Sequence, residues 1–93
     1  MPSCTPKKCS QCFALLADET RLKIFSKVRA GINQVKLLEK ELAVSQPTIS
    51  HHLAMLSSAG VVIASKQGRE TKYQYNPQFA CNGCNIFNLE FRV

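Results

Sequence analysis

A small, mostly helical domain closed by a β-hairpin is the fold class this sequence predicts, and three features carry that expectation. Apolar residues recur at helical spacing from about residue 11 to residue 59, with Gly31 and Gly60 as stops. Two of these periodic segments, 35–42 and 46–59, are joined only by Ala43-Val44-Ser45. Val61 to Lys66 and Thr71 to Tyr75 then read as strands on either side of Gln67-Gly68-Arg69-Glu70, a turn containing glycine. Two helices across a tight turn followed by a hairpin make a winged helix-turn-helix.

Each element has a local reason. Residues 1–9 are polar, with Pro2, Pro6 and Lys7-Lys8, and read as a flexible arm. A helical pattern begins at Gln11 with Phe13, Leu15 and Leu16. Asp18 is a good N-cap for a second helix, with Glu19 in its first turn. That helix carries Leu22, Ile24, Phe25 and Val28 and stops at Ala30-Gly31. Val35 to Leu42 is a shorter amphipathic helix, with Leu37, Leu38 and Leu42 on the apolar side and Glu39, Lys40 and Glu41 outside. In the next helix Ser45 suits the N-cap, and Pro47 sits in the first turn, where a missing N–H does no harm. Ile49, Leu53 and Leu56 share one face, and Gly60 ends the helix. Thr71, Tyr73 and Tyr75 alternate with Lys72 and Gln74, as a half-buried strand requires. Asn76-Pro77 can start another helix, which Asn82-Gly83 would weaken. Phe87 to Val93 alternates with period two, so residues 79–93 stay open between helix and strand.

Composition narrows the function. Ninety-three residues make a single domain, 1–93, near the lower limit for a self-sufficient core, which a metal clip or a dimer partner would help. A hydrophobic content of 45% excludes a disordered tail, and a net charge of +6 favours an anionic partner, most often nucleic acid. No apolar run is long enough to span a membrane, and MPSCTPKK lacks the apolar stretch of a secretory signal. The expected location is therefore the cytoplasm, where cysteines stay reduced. A thiol oxidoreductase would place C-x-x-C on a βαβ pattern; that pattern is missing, and no enzyme is expected.

The second helix of the pair, 46–59, is the expected reading helix. Opposite Ile49, Leu53 and Leu56 it carries Pro47, Ser50, His51, Ala54 and Ser58, which are small or hydrogen-bonding and not acidic. A helix must approach base edges closely in the major groove, so such a face suits it. Gln46, Thr48, Ser50 and His51 lie in its first half and are the expected base contacts. Lys66, Arg69 and Lys72 surround the hairpin tip and are the expected phosphate contacts. Taken singly, each of these side chains is ordinary solvated surface; their order along the chain gives the signal. His52 borders the apolar face and reads as a packed, hydrogen-bonded residue rather than a metal ligand.

The cysteines are confined to the two ends. Cys9-Ser-Gln-Cys12 and Cys81-Asn-Gly-Cys84 are C-x-x-C pairs, and Cys4 is the extra thiol. Four thiolates suit a tetrahedral zinc ion, at about 2.3 Å per bond, or a soft ion such as arsenite or cadmium. Gly83 permits the tight turn that aims two sulfurs at one ion. Lys7 and Lys8 would favour thiolate over thiol nearby. A structural zinc site, a sensing site, a dithiol redox switch and idle cysteines are all compatible with the spacing. Cys4 is a candidate third thiolate of a trigonal arsenite site.

Three runs of sequence resemble one known family. Leu16-Ala17-Asp18-Glu19-Thr20-Arg21-Leu22-Lys23-Ile24-Phe25 is similar to the opening segment of ArsR/SmtB-type winged-helix repressors. Glu41-Leu42-Ala43-Val44-Ser45-Gln46-Pro47-Thr48-Ile49-Ser50-His51-His52-Leu53 resembles their helix-turn-helix. Leu56-Ser57-Ser58-Ala59-Gly60-Val61-Val62 and Gly68-Arg69-Glu70 resemble the lead into their wing. The resemblance covers about residues 12–76. It implies a homodimeric prokaryotic repressor of double-stranded operator DNA. It also implies that the first and last helices, here including 77–93, build the dimer interface. An inducer, often a metal or metalloid ion, would lower operator affinity. Two departures matter. Cysteines that such repressors carry just before the reading helix are absent from Glu41-Leu42-Ala43-Val44-Ser45. Residues 77–93 hold no His and no Asp, so a site built from such pairs on the last helix is absent too. The expectation is a sequence-specific repressor released by a thiophilic ion at Cys9, Cys12, Cys81 and Cys84. The alternatives are a constitutive regulator with a purely structural zinc, or a dithiol redox sensor.

Overall fold

A computed structural model describes residues 5–79 and residue 84. Four helices lead into a two-stranded hairpin: α1 (Pro6–Leu16), α2 (Glu19–Arg29), α3 (Val35–Leu42), α4 (Gln46–Ala59), β1 (Val62–Gln67) and β2 (Glu70–Tyr75). Cys4, Cys81 and the period-two tail Phe87 to Val93 lie outside the described residues, as does the helix-or-strand question for most of 79–93.

The core lies between α2, α3, α4 and the base of the hairpin. Ile24 and Phe25 of α2, Leu38 of α3, Ile49, Leu53 and Leu56 of α4, and Val61 and Val62 are almost fully buried. Each large aliphatic or aromatic side chain so placed contributes roughly 1.5–3 kcal/mol of hydrophobic stabilisation. The face expected for α4 is thus the buried one. Tyr73 and Tyr75 pack against the same core, as the strand alternation required. The Tyr75 ring meets Phe25 edge-on, with centroids 5.6 Å apart. β1 and β2 are antiparallel, with Val62 opposite Tyr75 and Gln67 opposite Glu70, so Gly68-Arg69 forms the two-residue turn. The Tyr73 amide donates to the Asn33 carbonyl, which ties the loop before α3 to the outer edge of the wing.

The structure departs from the expectations at several places. The arm expected over 1–9 is helical from Pro6, because Thr5 caps the helix through Lys8 N–H and proline fits its first turn. Within α1, Cys12, Leu15 and Leu16 take the inward face, at i, i+3 and i+4, which leaves Phe13 62% exposed. In α3 the inward positions are Val35, Leu38 and Leu42, and Leu37, one helical step away from Leu38, is exposed. β1 starts one residue later than expected, because Val61 instead donates to Leu56 and accepts from Asn76. At Asn76-Pro77 the chain makes a turn through Phe79. Asn76 donates from its side chain to the Gly60 carbonyl and accepts from the Gln78 amide.

Two left-handed residues shape the functional end. Gly60 terminates α4 at φ 89°, and the Phe79 ring passes 3.6 Å from where a Cβ would stand. Ala43 closes α3 at φ 52°, a conformation that costs a non-glycine residue about 1–2 kcal/mol. That kink sets the angle between the two helices of the helix-turn-helix.

Candidate nucleic-acid interface and thiol site

Burial of Ile49, Leu53 and Leu56 forces the opposite face of α4 outward. Gln46, Thr48, Ser50 and His51 are all exposed there, as are Pro47, Ala54 and Ser58. Ser45 and Thr48 pair with each other: the Ser45 hydroxyl donates to Thr48 Oγ1 at 2.9 Å. Ser45 therefore occupies the N-cap position without capping α4 through its side chain, a correction to the simplest expectation.

The wing completes an open groove. Gln46 and Ser50 form one wall, Gln34 and Lys36 at the start of α3 a second, and Arg69 and Thr71 a third. Three of the expected contacts, Gln46, Ser50 and Arg69, therefore share one groove. His51 faces a separate shallow hollow beside Ala54, Met55 and Ser58. Lys66 pairs with Thr71 and Lys72 with Ser65, so the two lysines stand on opposite faces of the hairpin rather than on one basic patch. Glu70 is an acid at the wing tip, and the Gln34 side-chain amide donates to it at 2.9 Å, fixing the wing to α3.

Lys36 was missed in the sequence. Its signal in the sequence is weak: a lysine in the first turn of α3 gains nothing from the helix dipole, and it lines the groove only once the helix packs beside the wing.

A buried polar knot lies behind the reading face. The Arg21 amide donates to Asp18 Oδ1 at 2.9 Å, which caps α2. Arg21 Nε donates to His52 Nδ1 at 3.3 Å, and Arg21 Nη1 donates to the Leu15 carbonyl at 2.9 Å. His52 Nε2 stands 3.9 Å from Asp18. The Arg21 amide, aided by the neighbouring His52 and Arg21 side chains, holds the Asp18 carboxyl below its ordinary range against desolvation. His52 is the packed, hydrogen-bonded histidine that its sequence position suggested.

The thiols are placed by α1 and by the chain leaving the wing. Cys9 and Cys12 share a face of α1 at i, i+3; Cys12 is buried and Cys9 half-buried. Cys12 borders a hollow with Lys8, Gln11, Leu15, Ala59 and Phe79. Lys8 Nζ sits 4.0 Å from the centre of the Phe79 ring, so its charge is directed at an aromatic face. The chain thus crosses α1 beside Cys12, two residues ahead of Cys81. Cys84 is half-buried. Burial pushes the Tyr75 phenol up, Arg29 opposes this, and Cys84 adds to it. Among the described residues no three His, Cys, Asp or Glu side chains converge as a metal site; a four-thiolate set needs Cys81.

Residues 18–64 match the model of the arsR family of bacterial regulatory proteins. The chain belongs to the arsR family. The matched stretch runs from the Asp18 cap through the reading helix into β1, so this arsR-family chain is a helix-turn-helix regulator and not an enzyme. It is 37% identical over 83 residues to an arsenical resistance operon repressor of Escherichia coli K12, covering 88% of this chain and 71% of that one. It is 32% identical over 73 residues to a probable mercury resistance operon repressor of Streptomyces lividans, covering 78% of this chain and 58% of that one. Among solved structures it resembles an ArsR-like transcriptional regulator from Rhodococcus sp. RHA1, with a TM-score of 0.69 and 32% identity over 78% of this chain and 69% of that one. No helix among the described residues is long and apolar enough to cross a membrane.

Proposed function

We propose that this arsR-family chain is a homodimeric, cytoplasmic repressor that leaves its operator when a thiophilic ion binds Cys9, Cys12, Cys81 and Cys84. Gln46, Thr48, Ser50 and His51 read bases; Lys66, Arg69 and Lys72, joined by Lys36, hold phosphates. The observation that carries the ion site is the seat of Phe79 against α1 at Cys12, which brings the approach to the second C-x-x-C beside the first. Paired thiolates select soft ions, and two relatives are named for arsenical and mercury resistance. Cys4 stands close enough in sequence to Cys9 to serve as a further thiolate for arsenite.

The mechanism is linkage. An ion that prefers one arrangement of α1 and the C-terminal segment disfavours the arrangement that fits DNA. A coupling of about 1–3 kcal/mol would change affinity about 5–150-fold.

A second reading, a structural zinc, draws support from the burial of Cys12 against the core. The test is operator binding by reduced protein at several salt concentrations, with and without arsenite or cadmium. Sequence-selective binding that weakens with salt and is released by the ion supports the repressor-sensor. Selective binding indifferent to the ion supports the structural zinc. Absence of salt-dependent binding to any DNA contradicts both.

A further inference from the structure

Arg21 carries one of the few buried charges among the described residues and makes contacts that DNA reading alone does not explain. It is only 9% exposed, and burying a guanidinium is unfavourable unless its donors are satisfied. Its partners belong to three helices. Leu15 lies in the last turn of α1, where carbonyls have no partner within the helix. That turn contains no basic residue of its own, so Arg21 supplies both the missing donor and the positive charge that suits a helix C-terminus. Asp18 caps α2 and fixes the Arg21 backbone. His52 lies inside α4, next in sequence to His51 and two residues from Ser50 on the reading face.

We propose that Arg21 is a positioning residue that transmits the state of α1 to the reading helix. The inference rests on the ion-sensing reading above and supplies its route. Cys12 lies three residues before Leu15 in the same helix, so an ion drawing Cys9 and Cys12 toward the C-terminal thiols displaces the Leu15 carbonyl with them. The guanidinium is a rigid planar fork. Nη1 cannot follow that carbonyl while Nε stays on His52 Nδ1 unless α4 moves or one hydrogen bond breaks. Either outcome alters how Ser50 and His51 meet the groove. The His52 ring accepts at Nδ1, so its neutral form carries the proton on Nε2, toward Asp18. The knot is thus satisfied in one arrangement and frustrated when α1 shifts.

The test uses the full reduced chain, Cd²⁺ as the probe, and an operator fragment selected from random-sequence DNA. Three quantities are read: cadmium uptake by thiolate-to-metal absorbance, operator Kd without cadmium, and the ratio of Kd with and without it. In Arg21→Lys one ammonium replaces two separated donors. The expected result is native cadmium uptake and a Kd ratio reduced from the native range, about 5–150, to below about 2. Two further variants keep the question open should Arg21→Lys fold poorly. His52→Asn places an acceptor where Nδ1 stands and should retain the ratio. His52→Gln places it where Nε2 stands and should lose it. A purely structural role would not separate these two. Folded Arg21→Lys or His52→Gln protein that takes up cadmium normally and keeps the native ratio overturns the relay alone. A native chain with no cadmium effect on Kd overturns the ion-sensing reading, and the relay falls with it.

Discussion

Helices α1 and α4 are both amphipathic, yet they are held in opposite ways. α4 buries Ile49, Leu53 and Leu56 completely, whereas α1 contributes only Cys12 to the fully buried core and leaves Phe13 62% exposed. α4 is fixed by packing. α1 adds only the half-buried Leu15 and Leu16 beside Cys12 and is held also by polar and cation–aromatic contacts at its edges: Thr5 on the Lys8 amide, Lys8 on Phe79, Arg21 on Leu15. A close-packed element resists displacement, and one held by a few directional contacts can be moved by a ligand. Cys9 and Cys12 sit on the helix held by fewer buried contacts, and the residues proposed to read bases sit on the closely packed one.

The largest expected effect tests the packing half. Leu53→Ala should destabilise the fold by about 2–5 kcal/mol, while Phe13→Ala should change monomer stability by less than about 0.5 kcal/mol. Denaturant unfolding measures both. Sedimentation of the Phe13 variant asks a separate question, because an exposed aromatic on α1 suits the proposed dimer contact and its loss should weaken association. Next in size is Gly60→Ala, which imposes a left-handed conformation on a residue with a Cβ and should cost about 1–2 kcal/mol by the same unfolding measurement. A Cβ there also meets the Phe79 ring, so the variant tests whether the seat of the C-terminal segment depends on this glycine.

Smaller effects separate the contacts within the DNA face. Arg69→Ala should weaken binding to all sequences alike and lower the salt slope by about one. Ser50→Ala should instead act selectively on particular operator bases, with an unchanged slope. A sequence-selective loss from Arg69→Ala would move Arg69 into the base-reading group. The smallest effect concerns pH. The folded state lowers the Asp18 pKa, so its contribution to stability is fully present above the unfolded value, about 3.9. It is lost as pH falls through the lower folded value. Thermal melting should therefore show a drop below about pH 4 that is reduced in Asp18→Asn, which keeps a capping oxygen but does not titrate in this range.

Much of the middle of the molecule was legible in the sequence because its signals are local. Asp18, Gly31, Gly60 and the Gly68 turn mark element ends through backbone chemistry, and Ile49, Leu53 and Leu56 mark a face through spacing. The groove was less legible. Lys36 joins Gln46 and Arg69 only after α3 and the wing are packed, through the Asn33–Tyr73 and Gln34–Glu70 contacts. The start of α1 was misjudged because prolines and lysines suggested an arm, while Thr5 and Pro6 together make a helix start. Leu37 differs from the expected apolar side of α3 because composition marks a residue as apolar without saying which of two adjacent apolar residues the core selects. The Arg21 knot was half visible. The His52 position suggested a packed histidine, but its partner lies 31 residues away and no spacing announces it. Of the proposed thiol site, the sequence shows the two C-x-x-C spacings and the structure adds the seat of Phe79 against α1.

The measurement that tests the central claim most directly is metal content per chain of reduced, anaerobically purified protein, with thermal melting before and after chelation. The account predicts a chain that melts alike with and without chelator and then takes up cadmium or arsenite at its thiols. One tightly held zinc per chain, with collapse of the fold on its removal, would contradict it and make the cysteines structural.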